Sequence, residues 1–230
     1  MSQKGFAIAI DGPGGVGKST AARRVAEILG MTYIDTGAMY RAAALHNIRK
    51  GIDLHDKTAV EKSLDQLEIY LRDQRLFINN EDVTEAIRTQ VISEGASVIA
   101  SYKAVREKLS SQQKHMANTG QVVMDGRDIG SHVLPWAQVK IYLDADLETR
   151  AARRAEELEA KGFPSDFSKI KEETIIRDER DKKREYSPLV QTADAIYINS
   201  SNLNPDEVVD LIVAAAQKAR KEENNALLHP

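Results

Sequence analysis

One short segment of the chain combines the residue types that bind nucleotide phosphates. Gly12, Gly17, Lys18 and Ser19 fit the spacing G-x-x-x-x-G-K-[ST]. In such a segment glycines let main-chain N–H groups turn towards phosphate oxygens, the lysine neutralises the outer phosphates, and the serine hydroxyl can bind Mg²⁺. We therefore predict a phosphate-binding loop formed by Gly12, Pro13, Gly14, Gly15, Val16, Gly17, Lys18, Ser19 and Thr20.

The elements on either side of this loop support the interpretation. The apolar run FAIAI precedes the loop and predicts a buried strand, and the amphipathic pattern of residues 18–29 predicts a helix. A helix that begins at the loop adds its unsatisfied N–H groups and its positive dipole end to the same anion. A glycine-rich turn with a chance lysine would not require this order of strand, loop and helix.

The second predicted strand ends in a cluster of polar residues. The segment IDTGAMYR places Asp35 at the strand end, Thr36 at a helix start and Arg41 further along that helix. Ligands bind beyond the carboxyl ends of the strands in open parallel sheets, so we expect these side chains to face the same crevice as the loop. Asp35 or Thr36 could instead serve only as a helix cap, but a cap does not need the arginine.

The third predicted strand ends in VVMDGRDIG, which places Asp125, Arg127 and Asp128 at the same edge of the sheet. Carboxylates and a guanidinium beside a phosphate-binding loop can hold metal-bound water, a second phosphate and the edge of a ligand. A salt-bridged turn is the alternative for Asp125, but it explains the whole cluster less well.

Two predicted helices near the C-terminus are rich in arginine. Glycine and proline between them, at 161–167, predict the turn of a mobile lid over about 150–168. Arginines that close over a transferring phosphoryl group would stabilise its charge and exclude water. For Arg180, Lys182 and Lys183 a solvated helix face is the simpler interpretation. The arginines of interest are Arg150, Arg153 and Arg154 on the first helix and Arg177 and Arg184 on the second.

Short apolar segments alternate with long helical ones along most of the chain, which predicts an α/β fold with a central parallel five-stranded sheet covered by helices on both faces. Asn204 and Pro205 are typical of the start of the last helix, and the tail after Lys221 is expected to fray. The predicted strands are 6–10, 32–35, 121–125, 139–144 and 195–199; the predicted helices are 18–29, 37–50, 85–118 with a break, 147–161, 168–185 and 205–222.

One region departs from this alternation. Between 63 and 84, apolar residues alternate with polar ones, pass a turn near Asp73 and Gln74, and then alternate again through Leu76 and Ile78. This pattern predicts an antiparallel hairpin within a sub-domain inserted at about 55–100. The pattern alone fits an extension of the sheet edge without a functional role equally well.

Composition limits the classes of function. The formal net charge is -3, with 32 Lys and Arg against 35 Asp and Glu, which provides no global attraction to nucleic acid or to a membrane surface. There is no cysteine, so disulfides and cysteine-bound zinc are excluded. No apolar run approaches the length of a membrane span. We expect residues 1–230 to form one domain of a monomeric, cytoplasmic enzyme that acts on a small molecule.

Taken together, the motifs resemble those of bacterial cytidylate kinases, which are nucleoside monophosphate kinases of the P-loop class. The resemblance runs from about Ile8 to Ala215, and DTGAMYR and DGRDIG are its more specific parts. It is carried by IDGPGGVGKST, YIDTGAMYR, EAIRTQ, VREKL, DGRDIG and RDERDKKREYSPL. Thr36 stands where some members have serine, which preserves the hydroxyl.

The resemblance implies a P-loop three-layer fold, a monophosphate-binding insert and a short lid. It also implies transfer of the γ-phosphoryl group of ATP to CMP or dCMP, with Mg²⁺ bound through Ser19. By motif, the monophosphate would be held by Thr36, Arg41 and Arg127, cytosine by Ser97, Arg106 and Asp128, and the sugar and phosphates by Arg177, Asp181 and Arg184. Lys18, Arg153 and Arg154 would be catalytic, the last two on the lid with Arg150.

Two other functions are compatible with a phosphate-binding loop. A kinase of the same fold could act on another small acceptor, such as a different nucleoside monophosphate. A GTPase-like switch would carry an N-K-x-D guanine motif, which does not occur in the sequence, and would have no use for two arginine-rich helices.

Overall fold

The fold is taken from a computed structural model, which describes residues 5–72, 74–118, 120–160 and 162–228. The chain divides into two compact units. The first, called the sheet unit, comprises 1–34, 117–183 and 187–230; the second, called the hairpin unit, comprises 35–116 and 184–186.

Helices and strands alternate along most of the chain. In order they are β1 Ala7–Asp11, α1 Lys18–Leu29, β2 Thr32–Asp35, α2 Thr36–Arg49, α3 Lys57–Ser63, β3 Ile69–Arg72, β4 Arg75–Ile78, β5 Glu81–Asp82, α4 Gln90–Ile99, α5 Lys103–Ala117, β6 Val122–Gly126, β7 Val139–Asp144, α6 Leu147–Ala160, α7 Phe167–Lys183, β8 Ile196–Asn199 and α8 Pro205–Leu228. Short 3₁₀ turns occupy Leu64–Gln66 and Ala86–Arg88, and a π-helical turn occupies Ile129–Val133.

The sheet unit is built on a five-stranded parallel sheet with the order β2-β6-β1-β7-β8. On β1, Ile10 lies opposite Asp125 of β6 and Ile141 of β7, so the carboxyl ends of these strands meet at one edge. Helices α1 and α8 pack against each other and against one face of the sheet, where Ile10, Val25 and Ile212 are fully buried. This core fixes the strand ends that carry the polar clusters.

The hairpin unit has its own core. Helix α2 packs against α4 and β4, and Met39, Ile99 and Leu109 are fully buried there. The predicted hairpin is confirmed: β3 and β4 are antiparallel, with Ile69 opposite Ile78. The unit is broader than the predicted insert of 55–100 because α2 and α5 bury their apolar faces in the same core.

The five predicted strands of the sheet each begin and end within one residue of the observed ones. The predicted cap of α8 is confirmed, since Asn204 Oδ1 accepts hydrogen bonds from the N–H groups of Asp206 and Glu207. Two expectations were wrong or incomplete: α8 continues to Leu228 instead of fraying after Lys221, and α3 and the π-helical turn were not predicted. Asp73 and Lys161, at the predicted hairpin turn and lid, lie outside the described residues. In the part of the chain that the structure describes, no helix is long and apolar enough to cross a membrane.

Candidate functional site

The phosphate-binding loop has the main-chain geometry that its glycines predict. Gly12 and Gly15 have positive φ angles of 149° and 80°. A Cβ atom on Gly12 would lie 1.9 Å from the carbonyl oxygen of Leu143, so no side chain fits at that position. The loop leads directly into α1, which begins at Lys18. The first turn of this helix therefore points its N–H groups towards the loop.

Lys18 is a buried cation at the start of α1. Only 5% of the residue is exposed, and Nζ donates a hydrogen bond of 2.6 Å to the carbonyl oxygen of Pro13. Burial lowers the pKa of Lys18 well below its usual range, and the positive charges of Arg127 and Arg177 lower it further. A bound phosphate would oppose both effects, because it supplies the negative charge that a buried ammonium lacks.

Two arginines that the sequence analysis singled out lie against this loop. A Cβ atom built on Gly14 would be 3.6 Å from Arg127 Nη2 and 3.8 Å from Arg177 Nε. Arg127 Nε also donates a 2.8 Å hydrogen bond to Asp181 Oδ2. Burial lowers the pKa of Arg127, but the nearby carboxylates, with Asp181 first and Asp125 and Asp178 after it, together raise it more, so the net pKa is raised. The structure thus brings four of the predicted site residues, Lys18, Arg127, Arg177 and Asp181, together beside this loop.

The side-chain oxygens of Ser19 and Asp125 lie side by side next to the loop. The Ser19 hydroxyl donates to Asp125 Oδ2 at 2.9 Å, and the Tyr33 hydroxyl donates to Oδ1 at 2.9 Å. Among the described residues no cluster of three or more His, Cys, Asp or Glu is placed to hold a metal. Mg²⁺ usually takes only one or two protein oxygens together with substrate phosphates, so this pair fits it. Tyr33 was missed by the sequence analysis, although it lies in β2 next to β6.

Asp128 lies immediately before the π-helical turn and is 3% exposed. Its carbonyl oxygen accepts hydrogen bonds from the N–H groups of His132 and Val133. The turn is also held by Asp11, the last residue of β1, which the sequence analysis did not propose as a site residue. The sequence did offer a signal for Asp11, because it is an acidic residue at the end of a buried strand, directly before the loop.

Helix α6 carries the arginines that were predicted for a lid. The guanidinium of Arg150 is buried and donates to Asp178 Oδ2 at 2.6 Å and to the Ala145 carbonyl at 3.0 Å. Arg154 pairs with Glu157 at 2.8 Å, with its side chain 34% exposed. Arg150 thus forms part of the fold, whereas Arg154 remains accessible to solvent.

Arg153 contacts the main chain of the phosphate-binding loop at Val16. Its Nη2 donates to the Ser200 carbonyl at 2.7 Å and its Nη1 to Ser200 Oγ at 3.1 Å, with Val16 O at 3.5 Å. The Ser200 hydroxyl is placed to donate to the Val16 carbonyl, also at 3.1 Å. Ser200, which the sequence analysis missed, therefore links Arg153 to the main chain of the loop.

The hairpin unit holds the other predicted ligands. Asp35 Oδ1 caps α2 by accepting from Ala38 N at 2.8 Å, and its Oδ2 accepts from Arg41 Nη2 at 3.0 Å. Asp35 therefore caps α2 and also binds Arg41, so it does not serve only as a cap. The remaining predicted ligands in this unit are all buried residues: Thr36 3%, Ser97 9%, Arg106 1% and Arg184 9% exposed.

Arg106 is the most unusual of these buried residues. Its Nη1 donates to the Ala100 carbonyl at 3.2 Å, and the guanidinium lies 5.3 Å from the centre of the Tyr40 ring. Arginine is seldom fully buried because removing its charge from water is costly.

Comparisons with known proteins identify the family. A family model described as Cytidylate kinase matches residues 8–218. The chain is 47% identical to the cytidylate kinase of Anoxybacillus flavithermus over 220 residues, which cover 94% of this chain and 98% of the relative. It is also 47% identical to the cytidylate kinase of Shouchella clausii over 214 residues, or 91% and 95% of the two chains.

Solved structures with a similar fold are distant in sequence. A gluconokinase from Sinorhizobium meliloti has a TM-score of 0.50 and 14% identity, with 99% of each chain covered. An uncharacterized protein from Eubacterium ventriosum has a TM-score of 0.53 and 14% identity, covering 92% of this chain and 98% of that one. These similarities concern the fold alone, and they agree with the predicted α/β class. The family match and the close relatives together show that this chain belongs to the cytidylate kinase family.

Proposed function

We propose that this protein transfers the γ-phosphoryl group of ATP to CMP or dCMP, which yields ADP and CDP or dCDP. The observation that carries the proposal is the cation cluster at the phosphate-binding loop. Lys18, Arg127 and Arg177 lie beside the main chain of this loop. The chain also belongs to the cytidylate kinase family, whose substrates carry phosphates. Three positive charges suit the phosphates of two nucleotides better than those of one.

On the ATP side, the phosphate-binding loop from Gly12 to Thr20 would bind the nucleotide phosphates. Kinases of this kind use ATP with a divalent metal, and we propose Mg²⁺. The oxygens of Ser19 and Asp125 are the residues that would hold it. When bound, Mg²⁺ neutralises phosphate charge. Lys18 contributes a fixed positive charge beside the same phosphates.

On the acceptor side, Arg127 and Arg177 would bind phosphate oxygens, and Asp181 orients Arg127 through their 2.8 Å hydrogen bond. Asp128 would accept a hydrogen bond from the exocyclic amino group of cytosine. A carboxylate can only accept, so the same position opposes uracil, which presents a carbonyl oxygen there.

The family resemblance also implies roles for residues of the hairpin unit. Thr36 and Arg41 would hold the monophosphate, Ser97 and Arg106 the base, and Arg184 the sugar and phosphates. The burial of Arg106, which is 1% exposed, supports its assignment. A guanidinium provides donors for the ring acceptors of cytosine.

Catalysis would rest on charge and position, because phosphoryl transfer needs no protein nucleophile. We propose Lys18, Arg153 and Arg154 as the catalytic residues, with the region of about 150–168 acting as a lid. We also propose that the protein is a cytoplasmic monomer. The molar mass measured by light scattering during gel filtration tests the monomeric state. A mass twice that of one chain would show a dimer.

The deciding experiment is a substrate panel. Purified protein, ATP and MgCl₂ are assayed with CMP, dCMP, UMP, AMP and GMP, and ADP formation is followed by a coupled assay. We expect the highest kcat/KM for CMP and dCMP. The Lys18→Ala protein, purified in the same way, controls for contaminating kinases. A preference for AMP, GMP or UMP over both cytidine nucleotides would contradict the proposal.

A further inference from the structure

Helix α7 is joined to other segments of the sheet unit by two buried ion pairs. Asp178 and Asp181 are three positions apart, so they lie on the same face of the helix. Asp178 Oδ2 accepts a 2.6 Å hydrogen bond from Arg150 Nη1 of α6, and Asp181 Oδ2 accepts one of 2.8 Å from Arg127 Nε, which follows β6. The two aspartates are 9% and 6% exposed. This face of α7 is therefore fixed at two points.

Arg150 connects α7 to the phosphate-binding loop. Besides Asp178, its guanidinium contacts the Ala145 carbonyl at 3.0 Å through Nε and the Gly14 carbonyl at 3.4 Å through Nη1. A Cβ atom on Gly15 would lie 3.2 Å from Arg150 Cβ, so α6 packs tightly against the loop at this point. The Asp178 carboxylate is thus linked to the main chain of Gly14 through one guanidinium.

Arg177 reaches the same glycine from α7. It directly precedes Asp178 in the chain, and a Cβ atom built on Gly14 would be 3.8 Å from both its Cδ and its Nε. An arginine side chain has many rotamers, so keeping its guanidinium in one place requires that its main chain be held firmly. The pair of Asp178 with Arg150 holds the main chain one residue away from Arg177.

The two helices do not need this ion pair in order to pack. Ala151 and Leu158 of α6 form a buried apolar cluster with Ile170 of α7. A buried ion pair usually contributes little net stability, because removing two charges from water costs about as much as their attraction returns. Its best-established use is to fix the register of one element against another. Register is therefore the stronger reason for the pair of Arg150 and Asp178.

We propose that Asp178 is a positioning residue for phosphate recognition, because its pair with Arg150 holds Arg177 against the phosphate-binding loop. This inference rests on the proposed function, since it assumes that Arg177 binds phosphate oxygens of a substrate. A carboxylate has no donor to offer a phosphate oxygen, so Asp178 acts through the arginine and not on the substrate itself.

The test is a double-mutant cycle on the use of CMP. The kcat/KM for CMP is measured at saturating ATP in the wild type, Asp178→Asn, Arg177→Ala and the double variant. Asn fills the same space but lacks the charge and one acceptor oxygen. We expect Asp178→Asn to lower kcat/KM about tenfold or more, as small displacements of a positioned group do. The double variant should match Arg177→Ala within about twofold, because one residue acts through the other.

Binding of cytidine separates a positioning role from general damage to the fold. Cytidine lacks the phosphate, so its inhibition constant against CMP should be the same in the wild type and in Asp178→Asn, whereas kcat/KM for CMP falls. Glu179→Gln is the matched control, because Glu179 is an exposed carboxylate on the same helix and pairs with Lys183 at the surface. It should keep the wild-type kcat/KM.

A second variant is used if Asp178→Asn does not fold by circular dichroism. The pair variant Arg150→Met with Asp178→Leu exchanges the ion pair for apolar contact, so it should fold and still lose kcat/KM. Failure of both variants to fold would show a structural role and overturn the inference.

Three results in a folded variant would also overturn it: near-normal kcat/KM, a loss that adds fully to that of Arg177→Ala, or an equal loss of cytidine binding. A wild type that prefers another nucleoside monophosphate overturns the proposed function instead. The same cycle with that substrate and its nucleoside then tests Asp178.

Discussion

The Ser19 hydroxyl donates a hydrogen bond to Asp125 Oδ2 across 2.9 Å, from the first turn of α1 to the carboxyl end of β6. The two residues are 106 positions apart in the chain. Tyr33 donates to the other oxygen of the same carboxylate, so the orientation of Asp125 is set from both sides. A carboxylate that accepts hydrogen bonds on both oxygens has a fixed orientation, which would suit the Mg²⁺ ligand proposed above.

Replacing Asp125 with Asn should weaken the metal dependence of the reaction. Loss of one charged oxygen, or of a group that orients a metal ligand, typically costs about 10- to 100-fold in metal affinity. The measurement is the MgCl₂ concentration that gives half-maximal activity at fixed ATP. Tyr33→Phe is the matched control and should have a smaller effect, since it removes only one orienting hydrogen bond. An unchanged MgCl₂ requirement in Asp125→Asn would separate this residue from the metal.

Lys18→Ala should abolish most of the turnover without unfolding the protein. Removing one preorganised charge near the reacting group typically costs roughly 10²-fold or more in kcat. Lys18 is buried and its pKa is lowered by burial, so its charge is a cost to the folded state. Its loss should leave the melting temperature unchanged or raise it. Near-normal turnover in Lys18→Ala would refute the assignment of the phosphate-binding loop.

Arg153 and Arg154 should behave differently when each is replaced by Ala. Arg154 pairs with the exposed Glu157, and such a surface pair contributes little stability. Replacing Arg154 should therefore leave the stability nearly unchanged. If its charge acts in the transition state, as proposed, Arg154→Ala should lower kcat by about tenfold or more with KM nearly unchanged.

Arg153→Ala should lower kcat and also raise the KM for ATP, because Arg153 and Ser200 together hold the Val16 carbonyl of the loop. Ser200→Ala is the comparison variant, since it removes the hydroxyl but keeps the guanidinium. If Ser200→Ala reproduces the rise in KM but not the loss of kcat, then Arg153 has both roles. If Arg153→Ala has no kinetic effect, then Arg153 neither acts in catalysis nor supports ATP binding.

Asp128→Asn should narrow the preference for CMP over UMP. The Asn amide can donate to the uracil carbonyl oxygen, which a carboxylate cannot do. A good bidentate pair discriminates by roughly 1–3 kcal/mol, so the ratio of kcat/KM values should fall by about tenfold to a hundredfold. Both substrates are measured under the same conditions, with circular dichroism as the folding control. Equal losses for CMP and UMP would place base selection elsewhere.

Asp11 should make stability depend on pH in the acidic range. Burial raises its pKa from 3.8 to about 6, and the negative charge of Asp128 contributes while Lys18 opposes it. The pKa of Asp11 is higher in the folded state than in the unfolded state, so protonation of Asp11 favours folding. This contribution to the free energy of unfolding is complete below pH 3.8 and is lost as the pH rises through about 6. The difference in free energy of unfolding between wild type and Asp11→Asn should therefore shrink by roughly 3 kcal/mol over this range. Urea unfolding at several pH values measures it, and a difference independent of pH would contradict the prediction.

Several features could be predicted because their chemistry is local in the chain. The phosphate-binding loop occupies consecutive residues, so the order of its glycines, Lys18 and Ser19 was sufficient to identify it. The hairpin was predictable from alternation with period two, and the start of α8 from Asn204 and Pro205. In each case the interacting groups are only a few residues apart, so spacing alone determines the geometry.

The tertiary structure decided which distant residues meet. Asp125 and Asp128 were expected to form one cluster, but Asp125 accepts hydrogen bonds from Ser19 and Tyr33, whereas the turn after Asp128 is capped by Asp11. Arg153 was expected only on a lid and contacts Ser200, which follows β8. In a parallel sheet with the order β2-β6-β1-β7-β8, neighbouring strands are far apart in the chain. The sequence by itself determined the loop, the element types and the family resemblance, whereas hydrogen-bond partners across strand ends follow from strand order and register, which no local pattern encodes.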